Sequence, residues 1–223
     1  MNEKREATVT SDGAGRRPAK QQERSLLTRG TLLDATAREI DRHGHGSIAM
    51  HRIAREAGVT TGALTFHFPT KGQLLTELRE LGLARIEERV NEAVGLPAAP
   101  LRRARLLLLA LLELLHRDVV VRAAVRLSGE LPEGGGWPDS WLRPVRQMLR
   151  SASEEGKLRA GVTPEAVTEM ALRLAAGTEV RARGRDPEPG AAEADGEHVA
   201  QFCDLLLYGI SADRPPEADP TPR

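Results

Sequence analysis

Apolar residues recur at three- and four-residue intervals along most of the chain. That is the spacing of amphipathic helices, not the alternation of strands. From Arg24 to about Arg42 the apolar positions are Leu26, Leu33, Ala37 and Ile40, and His43–Gly46 ends this first helix, since glycine readily takes a left-handed cap. Ser47 is placed to cap a short second helix reaching about Ala57; Gly58 breaks it, and Thr60 caps a third, from Thr61 to about Phe68. Pro69 and Thr70 open a long fourth helix to about Val94. After the connector Gly95–Pro100, Leu101–Arg117 is apolar on almost every side and is expected at the centre of the molecule. Asp118 caps the next helix, to about Gly129, and Trp141–Glu155 follows, closed by Gly156. Thr163 as cap, Pro164 at the first helical position, and Glu165 and Glu169 behind them give a strong start for a helix to about Val180. The last helix, Glu197–Ile210, sets Val199, Phe202, Cys203, Leu206 and Ile210 on one side.

Residues 1–23 are polar and aperiodic and read as a disordered arm, in which Arg16, Arg17 and Lys20 are candidates for phosphate contacts. Residues 130–140 and 183–196 read as loops, and the Pro-rich residues 212–223 as a loose tail. The expected class is all-α, divided into the arm (1–23), a head of three short helices (24–70), a helical body (71–211) and the tail.

Composition narrows the field. Hydrophobic residues make up 40% of the 223, enough for a real core; aromatics make up only 3%, and Ala, Leu and Arg dominate, as suits helices. Formal net charge is zero, but the first 71 residues are net basic and the remainder net acidic, which fits a polyanion-binding end. The single cysteine, Cys203, allows no disulfide framework within one chain and points to a reducing compartment. The start is polar, without the apolar stretch of a signal peptide. The most apolar run, Leu106–Leu115, is about half the length of a membrane span and contains Glu113. A cytoplasmic protein without membrane association is expected.

The chemistry concentrates in Ile48–His67. Ile53, Ala54 and Ala57 lie on the inner face of one short helix, and Ala54 is small enough for a second helix to cross closely. Gly58 supplies the turn, and Val59 and Leu64 pin the second helix down. Thr60, Thr61, Gly62, Ala63, Thr65 and His67 are left on or near the outer side, small and polar as a helix lying in a major groove requires. This is the helix-turn-helix pattern. On this reading Phe66 and Phe68 belong to the core.

The run SIAMHRIAREAGVTTGALTFHFPTKGQLL resembles the DNA-binding signature of the TetR family of bacterial repressors. That resemblance implies a three-helix DNA head, a connecting fourth helix, and a body that binds a ligand and dimerises. Several further stretches are similar to the γ-butyrolactone autoregulator receptors of actinomycetes. They are GALTFHF, the segment His116–Glu130, the helix opening at Trp141, and AAGTEV. Thr65 stands where those receptors usually have tyrosine, and Thr61 where they often have lysine.

Carried over position by position, the resemblance implies DNA contact by Thr60, Thr61, Gly62, Thr65 and His67, and phosphate contact at helix starts by Ser47 and Lys71. It implies that Trp141 lines a ligand pocket, its indole giving a flat apolar wall and one donor. Trp137 is a candidate lid, and Val125, Val145, Met148 and Thr178 are candidate pocket walls, each with plain core packing as the alternative. The implied partners are a palindromic double-stranded operator, a second copy of the chain paired through Thr163–Val180 and Glu197–Ile210, and a γ-butyrolactone-like effector. An antibiotic or a furan or butenolide is the alternative effector. Control by protein contacts, with no small ligand, is the alternative from a different class.

An enzyme is not expected. The pair His43 and His45 is separated by glycine and has only Asp41 as a nearby carboxylate, which argues against zinc. Gly134–Gly136 lack the Lys-Ser/Thr of a phosphate loop. Cys203 sits on an apolar face as a packed thiol. No nucleophile–base pair can be named, and no cofactor is called for.

Overall fold

The computed structural model describes residues 16–130, 137–184 and 191–212. The expectations for residues 1–15, 131–136, 185–190 and 213–223 lie outside the described residues. The helices run α1 (Arg16–His43), α2 (Met50–Glu56), α3 (Thr61–His67), α4 (Lys71–Gly95), α5 (Pro100–Arg117), α6 (Val119–Glu130), α7 (Asp139–Glu154), α8 (Pro164–Ala182) and α9 (Ala191–Ile210), with a 3₁₀ turn at His45–Ser47. Among the described residues there is no strand beyond one isolated bridge, Leu158 with Ser211, which ties the α7–α8 connection to the end of α9.

Threonine and aspartate caps set most of the expected starts. Thr60 Oγ1 accepts from Ala63 N (3.1 Å), Thr70 Oγ1 from Gln73 N (3.2 Å) and Thr163 Oγ1 from Ala166 N (3.2 Å). Asp118 Oδ1 accepts from Val120 N and Val121 N at 2.9 and 3.2 Å.

Three expectations need correction. First, α1 begins at Arg16, not Arg24, and Leu26 is 64% exposed. Ala19, Lys20, Gln21, Gln22, Glu23 and Arg24 all have high helix propensity and extend the helix with no apolar face to reveal it. Second, Ser47 does not cap α2. The 3₁₀ turn intervenes, Ala49 occupies the cap position without a side-chain bond, and Ser47 Oγ instead donates to His43 O (3.0 Å) and Gly44 O (3.1 Å). Third, α9 begins at Ala191, so residues 191–196 are helix rather than loop. On α9 the buried residues are Cys203, Leu207 and Ile210, while Phe202 is 55% exposed. The helix is apolar on two sides, with Leu205 and Tyr208 also exposed, and period alone cannot say which side faces inward.

Two cores share α4 and α6, the first half of α4 serving the head and Ile86, Val90 and Ala93 of its second half the body. The head core gathers Leu32, Ile40, Ile53, Leu64, Phe68, Leu74 and Leu78 from α1 to α4, and also Val120, Ala123 and Leu127 from α6. The body core, around Leu107, Leu111 and Leu112 of the central α5, takes Val121 and Val125 from the other side of α6. The contact of α4 with α6 is the most extensive between any two helices. It is close because Gly82 has no side chain: a Cβ there would stand 2.8 Å from Val120 O.

Candidate functional site

On α3 a seven-residue helix has one buried anchor. Leu64 is fully buried, while Thr61, Gly62, Thr65 and Phe66 are exposed. Gly58, at φ +68°, makes the turn that α2 and α3 need, and Val59 N closes it on Ala54 O at 2.9 Å. Thr65 Oγ1 bonds back to the carbonyls of Thr61 and Gly62, both at 3.1 Å, so its methyl is the group left to face outward. His67 is half-buried and meets Phe66 edge to face at 5.4 Å.

The outer helix is held from behind by Arg29 of α1. Its Nε donates to Glu77 Oε1 of α4 at 2.6 Å and its Nη2 to Glu77 Oε2. Its Nη1 donates to His67 O at 3.0 Å, and its guanidinium lies 4.4 Å over the Phe68 ring. A bidentate pair with a stacked face fixes geometry as well as adding attraction. Lys71, the first residue of α4, donates its Nζ to His45 O and Ile48 O, each at 3.3 Å. With the back-bonded Ser47 it forms a clasp at the α1–α2 turn.

In the body, Val125, Trp141, Val145 and Met148 fall together in the body core, with Trp137 packed against it. The Trp137 and Trp141 rings lie 5.7 Å apart and tilted by 33°. Trp141 is fully buried, and its Nε1–H has no hydrogen-bond partner among the described residues. A buried donor left unpaired costs about 1–3 kcal/mol, so an acceptor brought by a ligand would recover that cost. Thr178 stands apart from this cluster. It lines a cleft of about 810 Å³ between α8 and α9, with His116, Leu174, His198 and Phe202, and its hydroxyl donates to Leu174 O at 2.9 Å. Met148 also reaches a smaller cleft of about 360 Å³ beside Arg103 and Pro144.

Cys203 is buried, and its thiol is pushed up to about 11, chiefly by loss of hydration and secondarily by Asp204. It is a packed group, not a nucleophile. Among the described residues no three His, Cys, Asp or Glu side chains converge as a metal site, and no helix is long and apolar enough to cross a membrane.

Residues 32–78 match the family model of bacterial regulatory proteins of the tetR family. The match takes in the second half of α1, all of α2 and α3, and the start of α4. Over 87 residues, 39% of this chain, the sequence is 36% identical to the HTH-type transcriptional regulator AcrR of Shigella flexneri, covering 40% of it. Over 194 residues, 85% of this chain, it is 27% identical to the A-factor receptor protein of Streptomyces griseus, covering 66% of it. The chain thus spans under two thirds of either relative's length. The TetR-family protein CprB of Streptomyces coelicolor, solved with its biological operator sequence, matches with a TM-score of 0.67 at 24% identity, over 86% of this chain and 91% of that one. The architecture is accordingly the TetR fold, a helix-turn-helix head on a helical body.

Within the head the sequence also misplaces Phe66. Phe66 is 80% exposed, whereas Phe68 is buried as expected. Helical geometry held the signal: Phe66 lies two residues, about 200°, from the buried Leu64, whereas Phe68 lies four residues on and shares its side. Phe66 therefore joins Thr61, Gly62 and Thr65 on the outer face.

Proposed function

We propose that this protein is a homodimeric transcriptional repressor that reads a palindromic operator with α3 and leaves it when a small molecule enters the body beside Trp141. The observation that carries the DNA half is the outer face of α3, where Thr61, Gly62, Thr65 and Phe66 are exposed around one buried anchor. A glycine and two threonines let the backbone approach base edges closely, and the Phe66 ring suits thymine methyls. Thr60 exposes the same helix start, and His67 stands at its other end. Lys71 serves the head through its carbonyl clasp and Ser47 through the turn it steadies, so both support the interface from behind.

Two copies reading a palindrome need half-sites about one turn, roughly 34–36 Å, apart. The face that supports pairing is apolar and exposed on α8 and α9: Met170, Val180, Phe202, Leu205 and Tyr208. We assign that face to the second copy rather than to a controlling protein.

The ligand half rests on the orphaned indole of Trp141, backed by Trp137 and by the aliphatic Val125 and Val145. The chemistry of these side chains suits an apolar molecule with one acceptor, as a γ-butyrolactone is, and as a butenolide or furan also is. The A-factor receptor gives this reading a relative in name. Trp141→Phe keeps the ring and removes the donor. DNA-bound protein titrated with a panel of γ-butyrolactones and furans should release its duplex, and the Trp141→Phe protein should need about tenfold more effector, the worth of one buried hydrogen bond. Equal release by both proteins would remove Trp141 as the anchor.

A further inference from the structure

The head and body meet at one buried ion pair that none of the residues above explains. Asp41, in the last turn of α1, is 4% exposed. Its carboxylate accepts from Arg122 Nε at 2.9 Å and Arg122 Nη2 at 3.1 Å, and from the backbone N–H of Gly184, just past α8, at 3.0 Å. Three donors from two body elements thus converge on one head carboxylate.

Arg122 is itself buried on α6, and its Nη1 donates to His116 O at 2.8 Å, at the end of α5. One turn along α6, Arg126 Nη1 donates to Ile40 O (3.0 Å) and Asp41 O (3.1 Å), the last carbonyls of α1, where a cation is favoured. The carboxyl end of α1 is therefore held by body residues as well as by α2, where Arg42 Nη1 pairs with Glu56 Oε1 at 3.4 Å. Midway along the same helix, Arg29 grips α3 and α4. A displacement of α6 has a direct route into α3 that does not pass along α4.

We propose that Asp41 is the positioning residue through which the body orients the DNA head. The pair of Asp41 with Arg122 makes α1 and α6 move as one piece, and the Gly184 bond ties that piece to the end of α8. This deepens the repressor reading and rests on it for its biological meaning, but the coupling is a property of the chain alone.

The test is hydrogen exchange on the full chain, comparing wild type with Asp41→Asn, Arg122→Gln and the double variant. Arg122→Gln retains a donor for the His116 carbonyl and serves if Asp41→Asn does not fold. In each single variant, amides of α1 to α3 should exchange about tenfold faster or more, the effect of one lost charge-assisted hydrogen bond. Amides of α5 and α7 should keep wild-type rates. The double variant should be no faster than the worse single, since both remove the same link. Equal acceleration of head and body, additive singles, or unchanged head exchange would each overturn the proposal. The same proteins are then offered a random duplex pool. A wild-type protein that enriches no duplex defeats the DNA reading while leaving the exchange result to stand by itself.

Discussion

Replacing Gly82 by alanine should loosen the head from the body without touching either DNA or ligand. At the crossing of α4 and α6 the new methyl would stand 2.8 Å from Val120 O and would meet the Ala124 methyl as well. Carbon atoms prefer about 3.5–4.0 Å from their neighbours, and a backbone carbonyl cannot turn aside as a side chain can. The helices must therefore part by roughly an ångström at this point, and overpacking of this kind costs about 1–3 kcal/mol. Gly82 lies eleven residues beyond Lys71, about 16 Å along α4 at the helical rise. A shift of roughly an ångström at the crossing tilts the start of α4 by a few degrees and misplaces α3 by a similar distance. The assay is paired: thermal melting for the packing cost, and duplex binding by fluorescence anisotropy for the head. Melting should fall by roughly 2–12 °C for a chain of this size, and binding should weaken about tenfold or more. Adding Ala124→Gly removes the methyl contact but leaves the carbonyl, so recovery should be partial. An alanine variant that melts and binds as the wild type does would refute the reasoning.

Two other outcomes follow from the head and the core. Lys71→Met removes the ammonium from two carbonyls and should lower stability by about 2 kcal/mol, together with duplex binding; weakened binding with unchanged melting would mean that Lys71 acts on phosphate alone. Cys203 should resist thiol reagents in the native protein at pH 8, because raising its pKa from 9.0 to about 11 leaves about a hundredfold less thiolate. Between pH 9 and 11 the unfolded thiol ionises while the native one keeps its proton, so the native state should lose stability as pH rises through that window; rapid native labelling at pH 8 would contradict this.

The helices were legible because their signals are local. Thr60, Thr70, Thr163 and Asp118 cap as their positions announce, and the apolar Leu106–Leu115 run lies in the central α5. What escaped were features set by partners distant in sequence. The start of α1 has propensity but no apolar face. Phe66 and Phe202 differ from Phe68 and Cys203 only in which side of a short or doubly apolar helix the rest of the chain covers. The link from Asp41 to Arg122 spans 81 residues, and nothing in the spacing of either residue foretells it. The Trp141 donor, unpartnered among the described residues, likewise becomes visible only once its neighbours in the fold are placed.

The central claim is that the outer face of α3 reads DNA, and Gly62→Asp tests it most directly. A Cβ on Gly62 would meet only Thr60 Oγ1, at 3.9 Å, and an acid in the first turn of a helix suits its dipole, so the fold should be preserved. The measurement is selection from a random duplex pool. The wild-type protein should enrich an inverted repeat with half-sites about one helical turn apart, and the Gly62→Asp protein, equally folded by circular dichroism, should enrich none. The account would be contradicted by a Gly62→Asp protein that enriches the same repeat, or by a folded wild-type protein that enriches nothing.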